Sequence, residues 1–153
     1  MKPYKIPVSV LVVIYTADLH VLLIERANKF AQPSGLWQSV TGSLDAVDEP
    51  IELAARREVL EETGIHSRWP GCILKDWRIQ NTYALLPAWM HRYAPEVTHN
   101  TEHVFGLQVP AGTPVTLSAR EHVACQWLPY REAAARCFSA SNAQAVLMLP
   151  RFT

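Results

Sequence analysis

Three glutamates, Glu58, Glu61 and Glu62, stand in the run Arg57-Glu58-Val59-Leu60-Glu61-Glu62-Thr63-Gly64-Ile65. Their i, i+3, i+4 spacing puts three carboxylates along one face of a helix. As a plain solvated face, that arrangement works against itself. Glu58 and Glu62 repel at i, i+4, and all three lie in the C-terminal half, where the helix dipole disfavours negative charge. Arg57 can pair with Glu61, but in the less favourable order. Each cost is only some tenths of a kcal/mol, so spacing alone leaves both a solvated acidic face and a cation site open. A divalent cation would reverse every one of these terms. An all-oxygen donor set points to magnesium or manganese rather than zinc.

The helix carrying these residues is predicted from about Glu49 to Thr63. Asp48 or a neighbour can cap it, Pro50 suits its first turn, and Gly64 sits where a C-terminal cap belongs. Just ahead, Trp37–Val40 reads as a short strand ending at Thr41-Gly42, followed by a polar acidic loop over residues 43–48. Such a loop can bring a backbone carbonyl near the carboxylates, and a glycine at position 42 permits close approach. Val8–Tyr15 is β-branched and aromatic and reads as a buried strand. Asp18-Leu19-His20 turns it into a partner strand, Val21–Glu25, and Asn28–Gly35 reads as a loop. Ile73–Ile79, Tyr83–Met90, His103–Val109 and Cys125–Leu128 are further strand candidates. Arg131–Phe138 and Asn142–Leu149 read as one broken helix or two short ones. Many strands with few helices imply an α/β or α+β sandwich.

Composition narrows the functions. The chain of 153 residues fits a single domain over 1–153, and its 49% apolar content is enough to bury a core. Fourteen basic and 14 acidic side chains balance. That argues against a nucleic-acid or membrane-surface binder and leaves room for a compact anionic small molecule. The longest apolar run is too short to span a bilayer, and no cleavage site of the signal-peptide type follows the N-terminus. Cys72, Cys125 and Cys137 are odd in number and widely spaced. They suit a reducing, cytoplasmic compartment and are expected to be small buried residues. His91, His99, His103 and His122 fit no standard zinc spacing.

The stretch from Gly42 through Glu49 to Arg57-Glu58-Val59-Leu60-Glu61-Glu62-Thr63-Gly64-Ile65 resembles the Nudix box, G-x5-E-x7-R-E-U-x-E-E-x-G-U, with U a bulky aliphatic. From Glu49 onward every fixed position matches. Between Gly42 and Glu49 there are six residues rather than five. The resemblance implies an α/β/α sandwich around a mixed β-sheet and hydrolysis of a phosphoanhydride with Mg2+, or Mn2+ in its place. It makes Glu58 and Glu62 metal ligands, and Glu61 a ligand or an orienter of the attacking water. Gly42 would offer its carbonyl, Arg57 would position a glutamate, and Glu49 would support the ligands or add a carboxylate. The general base often comes from outside the box, and Glu121, in Glu121-His122-Val123-Ala124-Cys125, is the candidate. It would also serve as a metal ligand.

Further segments resemble one subfamily, the dihydroneopterin triphosphate pyrophosphatases of folate synthesis. They include Tyr4-Lys5-x-Pro7-Val8-Ser9, Trp37-Gln38-Ser39-Val40-Thr41-Gly42-Ser43, His91-Arg92-Tyr93-Ala94-Pro95, Asn100-Thr101-Glu102 and Ser139-x-Ser141-Asn142. That likeness implies release of pyrophosphate and dihydroneopterin monophosphate, with water attacking the phosphorus nearest the pterin. Lys5 and Arg26 would bind phosphate, or serve as ordinary surface cations. Thr41 would offer its hydroxyl or backbone. Tyr83, Ala84, Leu85 and Leu86 would line the pocket, and Ser139 would reach the ring or a phosphate, or simply break a helix. Trp37 and Trp89 are expected in the core. The alternatives are a Nudix enzyme for another nucleoside triphosphate or dinucleotide, and a non-catalytic Nudix-fold nucleotide sensor.

Overall fold

The computed structural model describes residues 4–26, 36–118 and 122–153. Its centre is β1 (Val8–Tyr15), which is covered on both faces. Val10, Val12 and Ile14 point into one apolar cluster, and Leu11, Val13 and Tyr15 into another. A strand buried on both sides must be apolar at every position, which is what its sequence provides.

Around β1 lie β2 (His20–Arg26), β3 (Trp37–Gln38), β4 (Val40–Ser43), β5 (Ile73–Ala84), β6 (His99–Gln108) and β7 (His122–Pro129). The order is β3-β2-β1-β6-β5, with β4 on β1 and β7 on β2. β1 runs parallel to β6 along its whole length and antiparallel to its other neighbours, so the sheet is mixed. It meets β2 only at Tyr15 and Val21, then takes β4 as its partner from Ser9 to Val12. Helix α1 (Ile51–Thr63) covers one face through Ala54, Ala55 and Val59. Helices α2 (Tyr130–Arg136) and α3 (Ala140–Leu147) cover the other through Ala133, Ala134, Ala145 and Val146. This is the α/β/α sandwich expected. No described helix is long and apolar enough to cross a membrane.

Several boundaries differ from the sequence reading. Pro50 caps α1 rather than lying in its first turn, and no described side chain caps the helix. The Pro50 carbonyl accepts from Ala54 N–H at 3.0 Å. The short strand at Trp37–Val40 is split in two, because Ser39 N–H donates to Asn142 Oδ1 at 2.8 Å instead of to a strand. Tyr83–Met90 is not a strand. β5 runs on to Ala84, with a bulge between Asp76 and Ile79, and Pro87–Arg92 forms a 3-10 turn. Pro87 starts that turn because it has no N–H for a sheet ladder. Trp37 and Trp89 are half-buried, and Cys125 is exposed.

Candidate active site

Small residues set the position of the carboxylates. Ala54 and Ala55 let α1 approach β4 and β1 closely, with Val59 buried beside them. Burying a side chain of that size contributes about 1.5–3 kcal/mol to holding the helix down. Gly64, at φ 72°, ends α1 in the left-handed conformation, and its N–H donates to Leu60 O at 2.9 Å. Where α1 passes β4 there is no room for a side chain at position 42. A Cβ on Gly42 would lie 2.2 Å from Glu58 Cδ and 2.4 Å from both carboxylate oxygens.

Glu62 is 2% exposed, unusual for a charged side chain. Its Oε1 lies 3.3 Å from Nε2 of His122, itself buried at the start of β7. The Glu58 carboxyl lies within interaction range of that of Glu62. Burial pushes the Glu58 carboxyl above its ordinary range, while Glu62 and Arg57 pull it down and Glu61 adds to the rise. Two carboxyl groups in contact away from water need a shared proton or a cation.

Arg57 organises the approach to this pair. Its Nε and Nη2 donate to the two oxygens of Glu49 at 3.0 and 3.1 Å, a bidentate pairing. Nη1 donates to Glu58 Oε1 at 2.8 Å and to Glu61 Oε2 at 3.4 Å. Asp45 Oδ2 lies 3.0 Å from Nε, and Nη2 also donates to the Ser43 carbonyl at 3.2 Å. The Arg57 guanidinium holds the Glu49 carboxyl below its usual range, and its own pKa is raised in return. Asp45 N–H donates to Glu49 Oε1 at 2.8 Å, so the six-residue loop is tied to the helix it precedes.

The donors fit a hard divalent cation: two converged carboxylates, all-oxygen chemistry, and a glycine whose missing side chain keeps Glu58 in place. Glu61 is turned outward to Arg57 and 56% exposed. Among the described residues no three Asp, Glu, His or Cys side chains converge into a ready-made cage. Glu121 lies outside the described residues. Its chain neighbour His122 is the group against Glu62.

The expected substrate residues are spread over several elements, with Arg26 opposite His122 in the sheet. Thr41 pairs with Leu11 and points to the opposite sheet face from Gly42. Tyr83 accepts from Asn100 Nδ2 at 3.0 Å, and burial pushes its phenol pKa up. Ala84 and Leu86 are exposed and Leu85 is buried. Ser139 caps α3, its Oγ accepting from Asn142 N–H at 3.2 Å and lying 3.4 Å from Ser141 Oγ. Arg26 ends β2 with its guanidinium 5.6 Å from the Trp89 ring centre. Lys5 is exposed and donates its backbone N–H to Arg92 O at 2.8 Å. Thr41, Tyr83 and Ser139 therefore share the α3 side of the sheet, and Glu58 and Glu62 the α1 side. Sequence reasoning gave no role to the contact of His122 with Glu62, to Asp45 on Arg57, or to buried Asn100 and Glu102. The last two carry a visible signal: polar residues in phase with the core residue Val104 on one strand.

A glutamate-bearing helix pressed against a glycine-ended strand, on one face of a mixed sheet in an α/β/α sandwich, defines a class. The chain belongs to the NUDIX domain family, whose pattern matches residues 5–149. It is 40% identical over 146 residues to dihydroneopterin triphosphate diphosphatase of Escherichia coli K12, covering 95% of this chain and 93% of that protein. It is 34% identical over 147 residues to the protein of the same name from Haemophilus influenzae, covering 95% and 89%. The solved structure of the E. coli dihydroneopterin triphosphate pyrophosphohydrolase superposes with a TM-score of 0.83 over 95% of each chain, at 40% identity.

Proposed function

We propose that this chain is a magnesium-dependent pyrophosphohydrolase that cleaves dihydroneopterin triphosphate to dihydroneopterin monophosphate and pyrophosphate, with Mn2+ able to replace Mg2+. The observation that carries the reading is the buried contact of Glu58 with Glu62 beneath Gly42, in a chain 40% identical to the E. coli diphosphatase over nearly its whole length. The three free cysteines support a cytoplasmic setting.

In this reading Glu58 and Glu62, with Glu61 and the Gly42 carbonyl, would hold the metal, and Arg57 keeps Glu58 and Glu49 in register. The bound metal supplies charge shielding for the phosphates and a lowered pKa for water. Glu121 takes the proton from the attacking water as general base. Lys5 and Arg26 bind phosphate oxygens by charge. Thr41, Tyr83, Ala84, Leu85, Leu86 and Ser139 surround the rest of the substrate. The test is pyrophosphate release from dihydroneopterin triphosphate with and without magnesium, with dGTP and ATP as controls. The reading expects magnesium-dependent turnover that favours the pterin. Comparable turnover of all three triphosphates would refute the substrate assignment.

A further inference from the structure

On the α3 side of the sheet, polar side chains are buried where a core would be expected. Glu102 is 4% exposed and Asn100 2%. They occupy successive inward positions of β6, next to the core residue Val104. A buried carboxylate is costly without partners. Among the described residues the hydrogen-bond partners of Glu102 are neutral donors: Ser141 Oγ donates to Oε1 at 3.3 Å, and Asn81 hydrogen-bonds through its side chain. A carboxylate offers about four acceptor positions, so the two donors among the described residues do not fill it.

Asn100 adds a second acceptor. Its Nδ2 donates to Ser9 Oγ at 2.8 Å and to Tyr83 Oη at 3.0 Å. Among the described residues its Oδ1 is buried with no hydrogen-bond partner. Beside this wall, Asn81 and Ser141 line a cavity of about 110 Å³ together with Ile79, Gln144, Ala145 and Met148. Whole-ligand pockets run to about 300–1,000 Å³, so this one takes an edge of a ligand. Its apolar residues suit the faces of a flat ring, and Glu102 adjoins it through Asn81 and Ser141, which line it and bond the carboxyl.

Resting on the triphosphate substrate proposed above, we propose that Glu102, with Asn100 beside it, reads the substrate's ring by accepting from the N3–H and 2-amino group of a 2-amino-4-oxo-pyrimidine edge. Those two donors are adjacent and parallel, the geometry one carboxylate meets in a bidentate pair. Burial holds the Glu102 carboxyl above its ordinary range, and two donors from the ring favour its charged form. An adenine ring presents an acceptor where N3–H should be, and a 2-oxo ring presents one in place of the amino group. Either sets acceptor against acceptor.

The test measures binding of phosphate-free rings to the full-length chain by calorimetry: 7,8-dihydroneopterin, its 2-oxo counterpart, and adenosine. We expect the last two to bind at least about 100-fold more weakly. Glu102→Gln should weaken 7,8-dihydroneopterin by about 100-fold and leave the 2-oxo ring nearly unchanged. A thermal melt checks that the variant is folded, and the wild-type ring comparison stands without it. Equal or no affinity for the three rings, or an undiminished preference for the 2-amino ring in folded Glu102→Gln, overturns the inference. No hydrolysis is needed. Selective ring binding without turnover of the triphosphate would refute the proposed function alone, and turnover without ring selectivity would refute this inference alone.

Discussion

Glu58 and Glu62 meet with Gly42 pressed against one and His122 against the other. Glu62→Gln keeps the volume and a polar group for His122 but removes a charge. It should cut pyrophosphate release by orders of magnitude while the thermal melt stays near that of the wild type. Unchanged turnover would remove Glu62 from the metal site. Gly42→Ala tests the same place by shape. The new methyl would meet the Glu58 carboxylate at 2.2–2.4 Å. That carboxylate is the free end of a flexible side chain, so it moves and the backbone stays. Manganese affinity should fall by about 10–100-fold, the usual cost of disturbing what orients a ligand. A manganese titration reads the change, and equal affinities in variant and wild type would contradict the packing described.

The elements carry their own test. Gly106 on β6 faces Trp77, and a Cβ there would lie 2.4–2.5 Å from the indole, which stacks on Phe152 at 4.4 Å and 6°. Gly106→Val should destabilise the fold by about 1–3 kcal/mol through overpacking, read as a lower urea midpoint. An unchanged midpoint would mean the indole has room to move. α1 was legible in the sequence because its signals are local: carboxylate spacing, Pro50 at one end and Gly64 at the other. β1 was legible because burial on both faces makes every residue apolar. β5 was not. Its bulge sets Arg78 at a positive φ of 58° and shifts the register against β6, so the strand's pattern breaks where the strand does not. The split at Ser39 was hidden too, because it depends on Asn142, 103 positions away. The Glu58 and Glu62 positions could be read from spacing, but not the burial of Glu62, which β7 supplies through His122. The buried Glu102 and Asn100 followed the strand alternation. Their meaning came only with Ser141 and Asn81 around them.

At the scale of the molecule, two apolar clusters, one on each face of the sheet, hold the sandwich together without help from the glutamates. Stripping divalent cations with a chelator should therefore abolish turnover and leave the circular dichroism spectrum unchanged. Loss of the folded signal on chelation would show the metal to be structural instead. The formal charge of the whole chain is zero, so an anionic substrate must be drawn by local charge. A bound cation between Glu58 and Glu62 would supply it. The most direct measurement is anomalous diffraction from crystals soaked in manganese with a non-hydrolysable triphosphate analogue. The account predicts a manganese peak between the Glu58 and Glu62 carboxylates, beside Gly42. An empty position there at saturating manganese, with the analogue bound, would contradict it.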